Sequence, residues 1–324
     1  MMRKLATVLL ILAATAHGHA QAAAAEYPTK PIRLLVPVAP GGGNDLLSRY
    51  IAQKLGETSP QRIVVDNRAG AGGVIATELA ARAPADGYTL LMGGSAQIAI
   101  NPQLHRKLPY DTQKDLAPIT LIADFPSLVI VHPGLPVQSV KDLIAHAKAN
   151  PGRVAYGSPG NGSGTHLAVE LLKIQAGIDL IHVPYKGAGP ALADLVSGQI
   201  ALLLNNPLSS LPYVRTGRVR AVAVTGAKRL AAAPNIPTVS ESGLPGFTAT
   251  HWLGLLAPAR TPPSIISRLH RDVSNAVHQR ETVEWFQGQG MEAVGSTPSD
   301  FSTRIRADIS KWGKVIESAG VRLD

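Results

Sequence analysis

The stretch 32–47, IRLLVPVAPGGGNDLL, constrains the fold most. An apolar run of strand length enters a turn of three glycines and leaves it as a helix. A strand that feeds a helix in this way normally returns beside itself in a parallel sheet. The rhythm continues. Residues 32–38 read as a strand. Residues 44–55 read as a helix with Leu46, Leu47, Tyr50, Ile51 and Leu55 at helical spacing. A strand at 62–65, a helix at 73–83 and a strand at 88–92, introduced by Asp86-Gly87, follow. A second series starts near Leu121. Its strands read as 128–131, 153–156, 180–183, 200–204 and 219–224, and its helices as 140–149 (with Ser139 as N-cap), 165–175 and 188–197. The α/β rhythm ends in a strand-like run at 251–257. Beyond Pro263 the pattern is helical, over 264–279, 282–289 and 298–319. The stripe Phe301, Ile305, Ile309, Trp312 and Ile316 on the last helix is core packing and carries no chemistry. The restart in mid-chain predicts an α/β fold of two lobes, each a mostly parallel sheet flanked by helices, with a ligand cleft between them at the carboxyl ends of the strands.

The N-terminus predicts export. Arg3 and Lys4 precede the apolar run LATVLLILAATA, and small residues follow as far as Ala25. This is a leader pattern, too short for the roughly 20 residues of a membrane span. Cleavage after Ala20 and cleavage after Ala25 both fit; residues 1–25 are taken as the leader, and the periplasm as the destination. The chain has no cysteine, which excludes disulfides, thiolate chemistry and cysteine-ligated metals. The formal charge of +9 falls to +7 when Arg3 and Lys4 leave with a leader that contains no acid. The remaining cations are scattered and aromatic residues make up only 4% of the chain. Nucleic acid, which calls for a clustered basic face with stacking rings, is therefore not expected as a partner. Sugars, which favour stacked rings, are disfavoured for the same reason.

A search for catalytic apparatus finds little. Gly93-Gly94-Ser95-Ala96-Gln97 lacks the final glycine of a hydrolase elbow. There is no phosphate-binding Gly-x4-Gly-Lys-Ser/Thr loop and no His-Glu-x-x-His pair. Gly160-Asn161-Gly162-Ser163-Gly164 has the wrong spacing for a dinucleotide turn. The chain is therefore read as a binding protein without catalytic residues, metal or cofactor. An exported enzyme with an unrecognised site is the alternative.

The glycine turns are the better lead. They lie at 41–43, 70–73, 160–164 and 187–189. Glycines before a helix leave its first N–H groups bare, a natural seat for an anion. The first turn can also be a plain connection with Asn44 or Asp45 as N-cap. The third is richer, with hydroxyls at Ser163 and Thr165. His166 reads either as a ligand donor or as a hydrogen-bonded packing residue, and Lys186 either as a counter-charge in the cleft or as a solvated cation.

At these residues the chain closely resembles the extracytoplasmic solute receptors of the tripartite tricarboxylate transporter family, the Bordetella uptake gene type. The likeness is carried by YPTKPIR at 27–33, VPVAPGGGND at 36–45, VDNRAGAGG at 65–73 and DGYTLL at 86–91. It continues through INP at 100–102, LPYD at 108–111, YGSPGNGSGTHL at 156–167, HVPYKG at 182–187, PTVSESG at 237–243, residues 252–258 and KWG at 311–313. The resemblance implies a periplasmic binding protein fold, type II-like, that closes on a small carboxylate. It implies lobe 1 at 26–123 plus 251–324 and lobe 2 at 124–250. It implies a grip by Gly42, Gly43 and Asn44 on one side and Ser163, Gly164, Thr165 and His166 on the other, with Ser95 and Asn205 lining the rest; Lys186 is added as a candidate from the sequence reading alone. Membrane permease subunits are the implied partners, a sensor the alternative, and the receptor is expected to act as a monomer. Two positions depart from many relatives: Ala69 stands in place of Pro, and Asn205 in place of Asp. The second removes a negative charge, an expected bias toward plain carboxylic or dicarboxylic acids over amino-bearing ligands.

Overall fold

The structure, a computed structural model, describes residues 27–41 and 43–323. The leader and Gly42 lie outside the described residues. The first βαβαβ run forms as the periodicity indicates. Strands β1 (Ile32–Val36), β2 (Ile63–Asn67) and β3 (Thr89–Gly94) are joined by helices α1 (Gly43–Thr58) and α2 (Val74–Ala81). Both β2 and β3 pair with β1 in parallel. A π-helical turn at Ala96–Ile100 and the short α3 (Asn101–Leu104) follow. Then the eleven-residue β4 (Leu116–Pro126) leads through the single residue Ser127 into β5 (Leu128–Val131). The second run comprises α4 (Val140–Ala149), β6 (Ala155–Ser158), α5 (Gly164–Ala176), β7 (Ile181–Pro184), α6 (Ala188–Val196) and β8 (Leu202–Asn205). After α7 (Pro207–Arg215) and β9 (Arg220–Val224) the chain returns in β10 (Thr250–Pro258). It ends with α8 (Pro263–Val277), α9 (Arg280–Gly288), β11 (Glu292–Ala293) and α10 (Pro298–Ala319). Ser139 caps α4 as expected, its hydroxyl accepting from the Asp142 amide at 3.1 Å.

The two sheets run β11-β4-β10-β3-β1-β2 and β7-β6-β8-β5-β9. They share one plan. Three parallel strands take the order second, first, third, and an antiparallel strand and then a further strand follow; the first sheet adds the short β11 at its edge. The expectation of mostly parallel sheets holds only inside the βαβ runs; both sheets are mixed. The reason lies in the connections. β4 runs parallel to β3 and passes through one residue into β5, which therefore enters the second sheet against the direction of β8. β10 re-enters the first sheet antiparallel to both β3 and β4. It follows that the carboxyl ends of the parallel strands in the two sheets are turned toward each other.

Thr225, fully buried, ties the two passages between the sheets. Its amide donates to the Ser127 carbonyl at 2.9 Å and its carbonyl accepts from the Ala249 amide at 2.8 Å. Its hydroxyl accepts from the Ser127 amide and donates to the Ala249 carbonyl. Helix α10 packs its apolar stripe here. Phe301 meets Trp252 of β10 edge-on at 5.1 Å, and both are buried. Arg304 on the same helix clamps both passages, donating to Asp124 of β4 and to Thr250 of β10 at 2.8 Å each. No helix among the described residues is long and apolar enough to cross a membrane.

Candidate functional site

The first glycine turn follows β1. Gly41 adopts φ +89°, a conformation that favours glycine. Its amide donates to Asp45 Oδ2 at 2.8 Å. Asp45 is 2% exposed; it also accepts from Arg49 Nε at 3.0 Å and from Asn67 Nδ2 at 2.9 Å. Burial pushes its carboxyl pKa up, but the bonds from Arg49, Gly41 and Asn67 outweigh this and hold it below the ordinary carboxylate range. Asp45 is thus the residue that shapes the turn. Gly43 and Asn44 stand at the start of α1, where backbone N–H groups have no intrahelical acceptor.

The second turn follows β6, the first parallel strand of the other sheet. Gly160 and Gly162 have φ of +147° and +71°. Ser163 is the N-cap of α5, its hydroxyl accepting from the His166 amide at 3.3 Å. The His166 ring turns back onto the turn: Nδ1 accepts from the Gly162 amide at 3.0 Å. The ring is 4% exposed and stacks on His182 of β7 with centroids 3.9 Å apart. Burial, reinforced by the neighbouring His182, pushes the His166 pKa down to about 4, so the imidazole is neutral. Beneath it Tyr156 donates to Glu170 Oε1 at 2.5 Å, and Lys173 reaches the same oxygen at 2.9 Å. His182 Nε2 lies 2.6 Å from Ser158 Oγ, which in turn accepts from the Gly160 amide at 3.2 Å. The His166 ring is thus packed and hydrogen-bonded within the turn.

The other expected residues also fall at strand ends. Ser95 directly follows β3 and is 4% exposed. Asn205 closes β8, the equivalent strand of the second sheet, and is 3% exposed. Its amide nitrogen donates to Ser209 and Ser210 Oγ at 3.1 Å each, tying it to the first turn of α7. Lys186 is exposed after β7. The turn at 70–73 is bound into the fold instead: the Gly72 carbonyl accepts from Gln97 Nε2 at 3.2 Å and from Asn101 Nδ2 at 3.1 Å.

Two atoms at the second turn stand out. Thr165 Oγ1 is buried without a hydrogen-bond partner. So is Nε2 of His251, which lies on β10 with its ring directly over the α-carbon of Gly164. A Cβ at position 164 would stand 2.5 Å from His251 Nδ1 and 3.3 Å from Nε2. His251 carries no motif in the sequence, because its partner Gly164 lies far away along the chain. Gly162 makes a second contact between the two runs: a Cβ there would meet Leu104 of α3 at 2.6 Å. Among the described residues, no cluster of three or more His, Asp or Glu could hold a metal ion.

Two mixed sheets of this plan, each with a glycine turn and helix start at its first parallel strand, define a binding protein of the periplasmic type. The sequence profile of the tripartite tricarboxylate transporter family receptors matches residues 47–321, and the chain belongs to that family. It is 38% identical over 323 residues, 99% of either chain, to Protein BugT of Bordetella pertussis. Among solved structures it is similar to R. palustris Rpa4515 with adipate, at 37% identity and a TM-score of 0.81, over 92% of this chain and 99% of that one. It is also similar to MatC (Rpa3494) from Rhodopseudomonas palustris with bound malate, at 30% identity and a TM-score of 0.76, over 90% of this chain and 100% of that one.

Proposed function

We propose that this chain, its leader removed, is a periplasmic receptor that captures a small carboxylate or dicarboxylate. Two lobes, residues 26–123 with 251–324 and residues 124–250, close on the ligand and present it to the permease subunits of a tripartite tricarboxylate-type transporter. One observation carries the reading: both sheets place a glycine turn and a helix N-terminus at the carboxyl end of their first parallel strand, and these ends face each other. Each helix end favours an anion by about 0.3–2 kcal/mol. Several such donors acting together approach the roughly 8 kcal/mol of micromolar binding. The adipate and malate in the two related structures support the ligand class. The grip falls to Gly42, Gly43 and Asn44 opposite Ser163, Gly164, Thr165 and His166. Ser95 and Asn205 form the walls and Lys186 a peripheral charge.

Thermal melts against a panel of mono- and dicarboxylates test the reading. A ligand at 100-fold excess over its Kd should stabilise the protein by about 2.7 kcal/mol and be recovered unchanged. Stabilisation by no carboxylate, or turnover of the one bound, would sink it.

A further inference from the structure

We propose that His251 is a ligand-selecting residue of the second turn: together with the Thr165 hydroxyl at the same helix end, its Nε2 takes an oxygen of the bound carboxylate. The inference rests on the carboxylate reading above and adds to it a residue from the returning strand β10. Three observations carry it. The imidazole occupies the space a side chain at 164 would need, so it lies on the first residue of α5, where the helix offers its unpaired N–H groups. Nε2 is buried and has no hydrogen-bond partner, and the hydroxyl of Thr165, the next residue, shares that condition. Buried polar atoms are nearly always paired, because an unpaired one forfeits its bond to water for nothing in return. Two such atoms at one helix end point to a partner that arrives from outside.

The surroundings favour an oxygen acceptor. The groups facing the ring are Phe125, whose ring centroid is 6.0 Å away, and, at longer range, the pairs of Asp124 and Asp308 with Arg304 and Lys311 with the Thr248 carbonyl. Burial holds the imidazole neutral, with its pKa pushed down to about 4, so Nε2 can carry a proton to donate without adding a charge. A donor shielded from water discriminates strongly against ligands that lack the matching acceptor. His251 is on the first sheet and Gly164 in the layer of the second. A ligand would therefore reach Nε2 while the sheets are apart and be sealed against it when they meet.

The test uses the full mature chain, with adipate and malate as probes in titration calorimetry. His251→Phe keeps the ring and loses the nitrogen. It should weaken binding of the better probe by about tenfold to hundredfold, the range for a hydrogen bond to a charged group. His251→Gln should recover most of the loss. Thr165→Val should weaken binding similarly, and the double variant should lose less than the product of the two, because both side chains hold one group. The unliganded melting temperature of His251→Phe should hold or rise, since an unpaired buried atom has gone. Unchanged or tighter binding by His251→Phe overturns the proposal while leaving the carboxylate reading intact. If the wild-type protein binds neither probe, the carboxylate that stabilises it most in the thermal panel takes their place, and a protein that binds no carboxylate at all overturns both the carboxylate reading and this inference.

Discussion

The two turns occupy the same place in two copies of one plan, yet they are built from opposite chemistry. The first is organised by a charge. Asp45 sits at the start of α1 and takes the Gly41 amide, Arg49 and Asn67. The second is organised by neutral groups: the Ser163 cap, the His166 ring on the Gly162 amide, and the His182 stack beneath. An acid in the first turn of a helix already answers part of its dipole, so an external anion gains less there. The second helix end has no acid in its first turn and keeps that attraction for the ligand. Of the two sides of the proposed grip, the second turn is therefore expected to hold the carboxylate more strongly than the first.

The largest effect expected from this difference lies in the glycines. Gly164 lacks a left-handed φ but is blocked by His251, whereas Gly41 has φ +89° with nothing within 4 Å of an added Cβ. Gly164→Val should weaken carboxylate binding at least about 100-fold and lower stability by about 1–3 kcal/mol. Gly41→Ala should cost about 1–2 kcal/mol through its φ alone and change affinity by a factor of about three or less. Calorimetry and urea melts on both variants decide it; equal loss of binding would erase the distinction.

A smaller effect is the order in which acid loosens the turns. His166 has an ordinary pKa of 6.5 and about 4 when folded. Between these values the unfolded chain binds a proton that the folded chain refuses, so stability falls as pH drops through the window, by about 3 kcal/mol from this group. Asp45 behaves differently. Its folded pKa lies below the ordinary 3.8, so its contribution is whole above 3.8 and is lost only as pH falls through the folded value. The second turn should thus weaken first. His166→Asn, which can still accept from Gly162, should make the fall in stability between pH 6.5 and 4 shallower, with His251 supplying what remains, and Asp45→Asn should act only below 3.8. A wild-type profile level from pH 6.5 to 4 would contradict this.

The smallest effect concerns the strand ends. Asn205→Asp introduces an acid at the end of β8 and should weaken dicarboxylate binding by about tenfold while improving binding of aspartate, by one added charge in a half-screened site. Competition calorimetry with succinate and aspartate reads the ratio. A ratio that does not move would remove Asn205 from ligand selection.

Much of this was legible in the chain because local pattern decides it. The bounds of α4 and α10, the Ser139 cap and the restart of the α/β rhythm all follow from periodicity and capping. What escaped depends on long-range contact or on proline. Helix α7 carries Pro207 at its start and Pro212 inside, which masked it. Pro118 and Pro126 hid the full length of β4, which tolerates them within a mixed sheet. The antiparallel sense of β5 and β10 is set by the passage from one sheet to the other, which no local window contains. The site divides in the same way. The glycine turns announced themselves, but the commitment of the His166 ring to Gly162, the tie of Asn205 to Ser209 and Ser210, and the placement of His251 over Gly164 exist only after folding.

Thr225 has a mechanical consequence. Its backbone and hydroxyl bind Ser127 on one passage and Ala249 on the other, at a place closed to water. Sliding one passage along the other would break these bonds with nothing to replace them, whereas swivelling leaves them whole. For the closure proposed above, Thr225 would serve as a bearing: the two halves would turn about it like a jaw rather than shear like a drawer, and one glycine turn would approach the other along an arc.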